Sequence, residues 1–401
     1  MFSLQILFYK FMILGIRLLS RFLPQSKPLL LTGPGSSLQL CATLANFGSK
    51  KVLIVTDAML RKLGILDPIT TELDKHRIQW VIYDGVEPDP SLLQVEQGLA
   101  LLKNQHCDSV LAVGGGSSMD AAKVIAAGAT NDKSVKDFVG MLKVRNVPLP
   151  FFAIPTTAGT GSEVTLAAVI SDPDTHEKLK IIDAKLIPLA AALDPVLMTG
   201  LPPHITAATG MDALTHAIEA YISNLATPET DRYALAATKM ILESLPRAYA
   251  YGDDMQARDS MALASCYAGL AFTKANVGYV HAFAHNFGAS YGTPHGLANA
   301  IALPHILEFS KDAAAERLAE LARAGGLGDD SETDSVLAQR FVDRVFALNQ
   351  ELNIPLALDA LQESDISRLA KAALHEAHYL YAVPKYMTLP ECETIMRRLL
   401  V

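Results

Sequence analysis

Cysteine is scarce and scattered in this chain. Its 401 residues hold four, Cys41, Cys107, Cys266 and Cys392, and no C-x-x-C pair occurs. That spacing excludes a zinc knuckle or a disulfide framework and fits a reduced, cytoplasmic setting. An excess of positive charge is also missing. Lys and Arg number 34 against 42 Asp and Glu, a net charge of −8. With no basic stripe to neutralise phosphates, nucleic acid is excluded as a partner. Long apolar runs are absent too. In residues 1–23, MFSLQILFYKFMILGIRLLSRFL, Lys10 and Arg17 break the run short of the roughly 20 apolar residues of a span, so no integral membrane span is expected. A secretory signal's early positive charge and small-residue cleavage site are not evident there. Charged residues make up only 19% of the chain and hydrophobic ones 50%. That balance excludes disorder and points to a deeply buried core and a homodimer or larger assembly.

What is present divides into three parts. Residues 1–28 form an N-terminal extension in which Ser3, Lys10, Arg17 and Arg21 recur along one helical stripe. Two readings of it stand side by side: a helix lying on a membrane surface, and a helix docked on its own protein or a neighbouring subunit. Residues 29–200 alternate strand and helix. KVLIVTD (51–57), WVIYDGV (80–86), SVLAVGG (109–115) and PFFAIP (150–155) are short apolar runs of the kind that fill a parallel sheet covered on both faces. Ser91 is placed to cap a helix over 91–103. After Leu201-Pro202-Pro203 the chain becomes Ala-rich, and helices are predicted near 206–223, 229–248, 254–271, 312–324, 334–352 and 364–378. The fold class is therefore an α/β domain followed by an all-helical one over 201–401.

Two stretches of the first domain suit a nucleotide. Gly114, Gly115, Gly116 and Ser117 follow a strand and open a helix, where backbone N–H groups and the helix dipole can meet a pyrophosphate. Thr156, Thr157 and Thr160 lie on a second loop at a strand's end, where open α/β sheets place ligands. Asp57, at another strand end, can accept from a ribose diol and would repel a 2′-phosphate, which favours NAD; a helix N-cap is the alternative role for it.

The helical domain carries metal-ligand spacing. Asp212 and His216 are i and i+4, as are His281 and His285, and His295 follows a Gly-Thr-Pro turn. One carboxylate with these imidazoles makes a mixed N/O set that suits Fe(II) or Zn(II) better than Mg or Ca. Spacing alone leaves open which of the histidines bind. His106, His176, His204, His305, His375 and His378 are read as having no metal role.

The motifs GGGSSMDAAK, IPTTAGTGSEVT, TAATGMDALTHAIEAY and HAFAHNFGASYGTPHG, in this order, resemble those of the iron-containing (group III) alcohol dehydrogenases, over about residues 30–400. The resemblance implies a dehydroquinate-synthase-like fold: a Rossmann-like NAD-binding domain, a helical metal-binding domain and a site in the cleft between them. It implies Fe2+ (or Zn2+) held by Asp212, His216, His281 and His295, with His285 left outside the shell as the catalytic histidine. It assigns the pyrophosphate to the Gly-Gly-Gly-Ser turn, and the cofactor's lining to the Thr loop, including Thr165, and to Lys180. The implied reaction is NAD-linked oxidation of a small, primary alcohol, or reduction of the aldehyde. A polyol dehydrogenase of the same fold is the nearest alternative. A non-catalytic NAD- or metal-binding protein, and a lyase of the dehydroquinate synthase kind, are the more distant ones. Phe151, Phe152, Phe272, Phe283, Phe287 and Tyr291 flank the motifs and suit a weakly polar substrate better than the lyase's acidic phosphate. Asp89 stands where the family often has the Asn of Pro-Asn-Pro, and its role is left open.

Overall fold

The computed structural model describes residues 2–20, 26–173 and 178–401. The chain forms two compact units, one of residues 24–200 and one that gathers residues 201–401 with the N-terminal helix α1 (Phe2–Ser20). His176 and Arg21 lie outside the described residues, as do the side chains of Ser3 and Arg17.

The first unit is built on a parallel sheet. Its strands in chain order are β1 (Leu29–Thr32), β2 (Lys51–Val55), β3 (Gln79–Tyr83), β4 (Ser109–Gly114), β5 (Gly140–Met141), β6 (Phe151–Pro155), β7 (Ala167–Ser171), β8 (Lys178–Ile182) and β9 (Ala190–Leu193). Six of them pair in the order β1-β9-β6-β4-β2-β3, all parallel, and β5-β8-β7 form a small second sheet. Alternate residues of one strand feed opposite cores. Leu53, Val55, Val110 and Ala112 pack under α5 (Leu92–Asn104) and α6 (Gly116–Thr130). Val52, Ile54, Leu111 and Phe152 pack with Leu40, Leu44, Ile69 and Leu73, from α2 (Ser36–Asn46) and α4 (Asp67–Lys75). A sheet buried on both faces explains why its strands read as unbroken apolar runs. Ser91 caps α5 in a capping box with Gln94. Asp57 caps α3 (Ala58–Lys62), its Oδ1 accepting from the Leu60 N–H at 2.9 Å.

The second unit is helical among its described residues. It comprises α7 (Pro203–Ile222), α8 (Pro228–Ala250), α9 (Met255–Ala275), α10 (Tyr279–Tyr291), α11 (His295–Ser310), α12 (Ala315–Ala324), α13 (Asp334–Glu351), α14 (Ile366–Leu380) and α15 (Leu389–Arg397). α7 is buried along most of its length, between α8, α9 and α11. Small residues permit this: Gly210 faces Leu245 of α8 so closely that no Cβ would fit without moving it. No described helix is long and apolar enough to cross a membrane. All four cysteines are buried, and none forms a disulfide among the described residues.

In the α/β unit, burial pushes the Glu163 carboxyl up to about 7, against the pull of a backbone hydrogen bond and of Lys123. A group that holds its proton more tightly when folded stabilises fully at low pH, and that contribution is lost as pH rises through its folded value. Glu163→Gln is therefore expected to gain stability on the parent chain as pH rises from 5 to 8. Denaturant midpoints of the two proteins across that range check it; parallel curves would refute it.

Candidate metal centre and cofactor loops

Three helices converge on one point. α7 presents Asp212, His216 and Glu219 at i, i+4 and i+7; α10 brings His281 in its first turn; α11 begins at His295. Donor atoms of Asp212, His216, His281 and His295 all lie within 4.8 Å of one another. From the Asp212 carboxylate, His295 Nε2 is 3.5 Å, His281 Nε2 3.8 Å and His216 Nδ1 4.0 Å. α11 reaches α7 because Gly296 has no side chain: a Cβ there would run into the Ala208 carbonyl oxygen.

The rings are oriented by neighbours. His281 Nδ1 is 2.6 Å from Glu219 Oε2, which turns its Nε2 towards Asp212. Glu219 also accepts from the Gly278 and Val280 N–H groups, at 2.9 and 2.8 Å, and so satisfies the start of α10. Asn299, one turn after His295, donates to Asp212 Oδ1 at 2.7 Å and lies 3.1 Å from His295 Nε2. His216 stacks between Phe272 and His281, with ring centroids at 4.1 and 4.5 Å.

Electrostatics favour a cation here. Burial pushes His216 down to about 3, so its ring is neutral in the working pH range. Burial raises Asp212, but the facing rings of His216, His295 and His281 outweigh it and leave its carboxyl below the usual range. His216 Nδ1 is buried without a hydrogen-bond partner among the described residues. An orphaned buried nitrogen costs about 1–3 kcal/mol unless something meets it. Three imidazoles and a carboxylate, one nitrogen unsatisfied, fit a divalent ion of the Fe(II) or Zn(II) type.

His285 stands apart from these four. Its Nδ1 is 2.7 Å from Glu376 Oε1, and Tyr381 donates to the same oxygen. Its ring stacks on His295, with centroids 5.3 Å apart and planes at 14°.

In the α/β unit, the glycine turn 114–117 and the loop after β6 end neighbouring strands, with Gly114 opposite Pro155. A Cβ on Gly116 would sit 2.8 Å from the Thr160 methyl, so the turn and the Thr loop touch. Thr156 is buried, and Thr157 and Thr160 are half-buried. Thr165 is buried and accepts from Lys123 Nζ at 3.0 Å. Lys123 also donates to Ser162 Oγ at 2.8 Å and the Ala167 carbonyl at 2.7 Å, and so ties α6 to the loop. Lys180 lies half-buried on β8. Asp89, in the left-handed region at φ 57°, pairs with Lys178 at 2.8 Å.

Sequence reading missed Glu219, Asn299, Glu376 and Lys123. The first two carried a faint signal, being one helical turn beyond a ligand candidate. Phe151 and Phe152 do not flank a pocket: they are strand residues buried in the two cores. His378 is a buried core residue on Tyr279, with its ring pushed down to about 4 by burial.

Residues 28–195 match the iron-containing alcohol dehydrogenase family, and residues 206–400 match the C-terminal domain of the Fe-containing alcohol dehydrogenase family. The NAD-dependent methanol dehydrogenase of Bacillus methanolicus is 38% identical over 351 residues, 87% of this chain and 92% of that protein. The 1,3-propanediol dehydrogenase of Citrobacter freundii is 41% identical over 335 residues, 82% and 87% of the two chains. The solved alcohol dehydrogenase of Oenococcus oeni superposes with a TM-score of 0.91 at 35% identity, covering 94% of this chain and all of that one (100%). Both halves of the chain match one family, in order and nearly end to end, and the chain belongs to the iron-containing alcohol dehydrogenases, making it an oxidoreductase of alcohols.

Proposed function

We propose that the chain interconverts a small primary alcohol and its aldehyde with NAD, using a divalent ion held by Asp212, His216, His281 and His295. The observation that carries this reading is the convergence of those four donor atoms within 4.8 Å of one another. When bound, the ion supplies Lewis acidity at the alcohol oxygen and the nicotinamide supplies the hydride acceptor. The ion is Fe(II) or Zn(II), both of which accept this donor set.

The protein's own groups do the rest. Glu219 fixes the His281 tautomer by holding Nδ1–H, which leaves Nε2 as the donor atom. His285 serves as the proton acceptor: with Nδ1–H held by Glu376, its Nε2 takes the proton, and the Glu376 carboxylate steadies the resulting imidazolium. The Gly114–Ser117 turn and Thr156, Thr157 and Thr160 bind the cofactor's phosphates and ribose, with Thr165 and Lys180 lining the same region. Asp57, a carboxylate at the end of β2, disfavours a 2′-phosphate and sets the preference for NAD. The relative named 1,3-propanediol dehydrogenase supports a diol as the second substrate reading. The catalytic unit is a homodimer or larger, in keeping with the 50% hydrophobic composition, and four cysteines with no disulfide among the described residues suit a cytoplasmic setting.

NADH formation on methanol, ethanol and 1,3-propanediol, by protein stripped with chelator and reloaded with Fe(II) or Zn(II), tests the reading. Turnover restored by metal supports it; cofactor binding without turnover on any of the three would overturn it. His216→Ala is expected to lose metal and activity together, whereas His285→Ala keeps its metal and loses about 10²–10⁴-fold in turnover. Loss of metal from the His285 variant would reassign the shell. Glu219→Gln should weaken metal affinity about 10–100-fold, read by chelator competition.

A further inference from the structure

Helix α1 contributes nothing to the metal centre, yet it presents an unusual face. Tyr9 is buried among His378, Tyr379 and Tyr386, with ring centroids at 5.1, 5.2 and 5.7 Å, and Ile13 packs with Leu225 and Ala382. One side of the helix is therefore fastened to the helical unit. The opposite side is apolar and uncovered: Leu7 is 66% exposed, Phe8 54%, Phe11 73% and Leu14 50%. At 100° per residue these four span about a third of the helix circumference. Between Leu7, Phe8 and Phe11 and the Tyr379 side chain runs an open groove of about 660 Å³, lined also by Gln5 and Tyr9.

Charge says what covers this face. Residues 1–23 hold three Lys and Arg (Lys10, Arg17 and Arg21) and no Asp or Glu. Lys10 is exposed at the margin of the apolar arc. Large apolar side chains outward with cations along one edge match the water–lipid boundary of an anionic membrane. A second copy of the chain is the poorer occupant, because a two-fold contact would bring the Lys10 edges of both copies into one interface with no Asp or Glu in residues 1–23 to offset them.

We infer that the outer face of α1 is a docking surface for anionic lipid, holding the enzyme peripherally with α1 lying in the interface. Burying Phe8, Phe11, Leu7 and Leu14 among acyl chains supplies the apolar part of the binding, and Lys10 with its neighbours supplies the electrostatic part.

Vesicle flotation of the full-length protein tests this, with phosphatidylcholine alone and with phosphatidylcholine containing phosphatidylglycerol. The protein is expected to float with the anionic vesicles and to stay behind with the neutral ones. Lys10→Ala should weaken binding about fivefold, the equivalent of about 1 kcal/mol per basic residue near the surface. The double variant Phe8→Glu/Phe11→Glu should lose flotation while keeping its melting temperature, its oligomeric state and its turnover of soluble alcohol. The inference is overturned if the parent protein does not float with anionic vesicles, or if the double variant floats as well as the parent. It is equally overturned if the double variant changes the oligomeric state, since the face would then belong to a second copy.

Discussion

A single buried carboxylate, Glu219, ties the metal-site helices together. Any helix begins with N–H groups that have no partner inside it, and burying them is costly unless an acceptor meets them. At α10 the acceptor comes from α7: Glu219 takes the Gly278 and Val280 N–H groups and the His281 ring on the same carboxylate. Satisfying the helix start and aiming the imidazole are thus one event. α10 cannot rotate or slide along α7 without stranding two amides and a ring nitrogen at once. Asn299 does the corresponding work from α11, holding Asp212 and standing beside His295. Asp212, His281 and His295 are placed by partners outside the ligand set, which keeps the donors ordered independently of an ion.

The α/β unit uses the same device with the opposite charge. Lys123 is fully buried, and burial pushes its ammonium down to about 8. It persists because Ser162 Oγ, Thr165 Oγ1 and the Ala167 carbonyl each accept from it, with Asp120 nearby at 3.9 Å. The result is a cross-brace between the helix that follows the glycine turn and the Thr loop beside it. The two loops proposed for the cofactor therefore hold a fixed spacing, which an entropic cost would otherwise oppose.

How much of this was legible in the sequence depended on whether the signal was local. The strands at 51–55, 79–83, 109–114 and 151–155 and the helices α7, α8, α9 and α13 each declare themselves by composition and period, and the parallel sheet and helical half follow from them. β1 and β9 were harder: four residues each, LLLT and AAAL, they are strands only because a sheet edge and the place next to it accept them. The i, i+4 rule brought Asp212 to His216, but it could not say that the equally spaced His285 turns to Glu376, 91 residues on. Periodicity fixes a shared face; which atom a ring meets is decided by tertiary partners. Glu219 and Lys123 were invisible for the same reason, since a charged residue in a helix reads as solvated until its partners, 59 and 39 residues away, are known.

Exposure around the cluster gives a direction to its chemistry. His216 is closed off by Phe272, His281 is backed by Glu219, and Asp212 is covered by Asn299. His295 alone among the four is open, with 37% of its side chain exposed, and the ring stacked on it is His285, at 22%. In the proposed reaction the alcohol approaches from that side, since the other three ligand candidates are buried. The group it would meet there is an imidazole whose far nitrogen is already held by the half-buried Glu376 carboxylate, the arrangement in which a histidine accepts a proton at its near nitrogen with least reorganisation. Position at the open edge, rather than spacing in the sequence, is what separates the proposed role of His285 from that of the ligands.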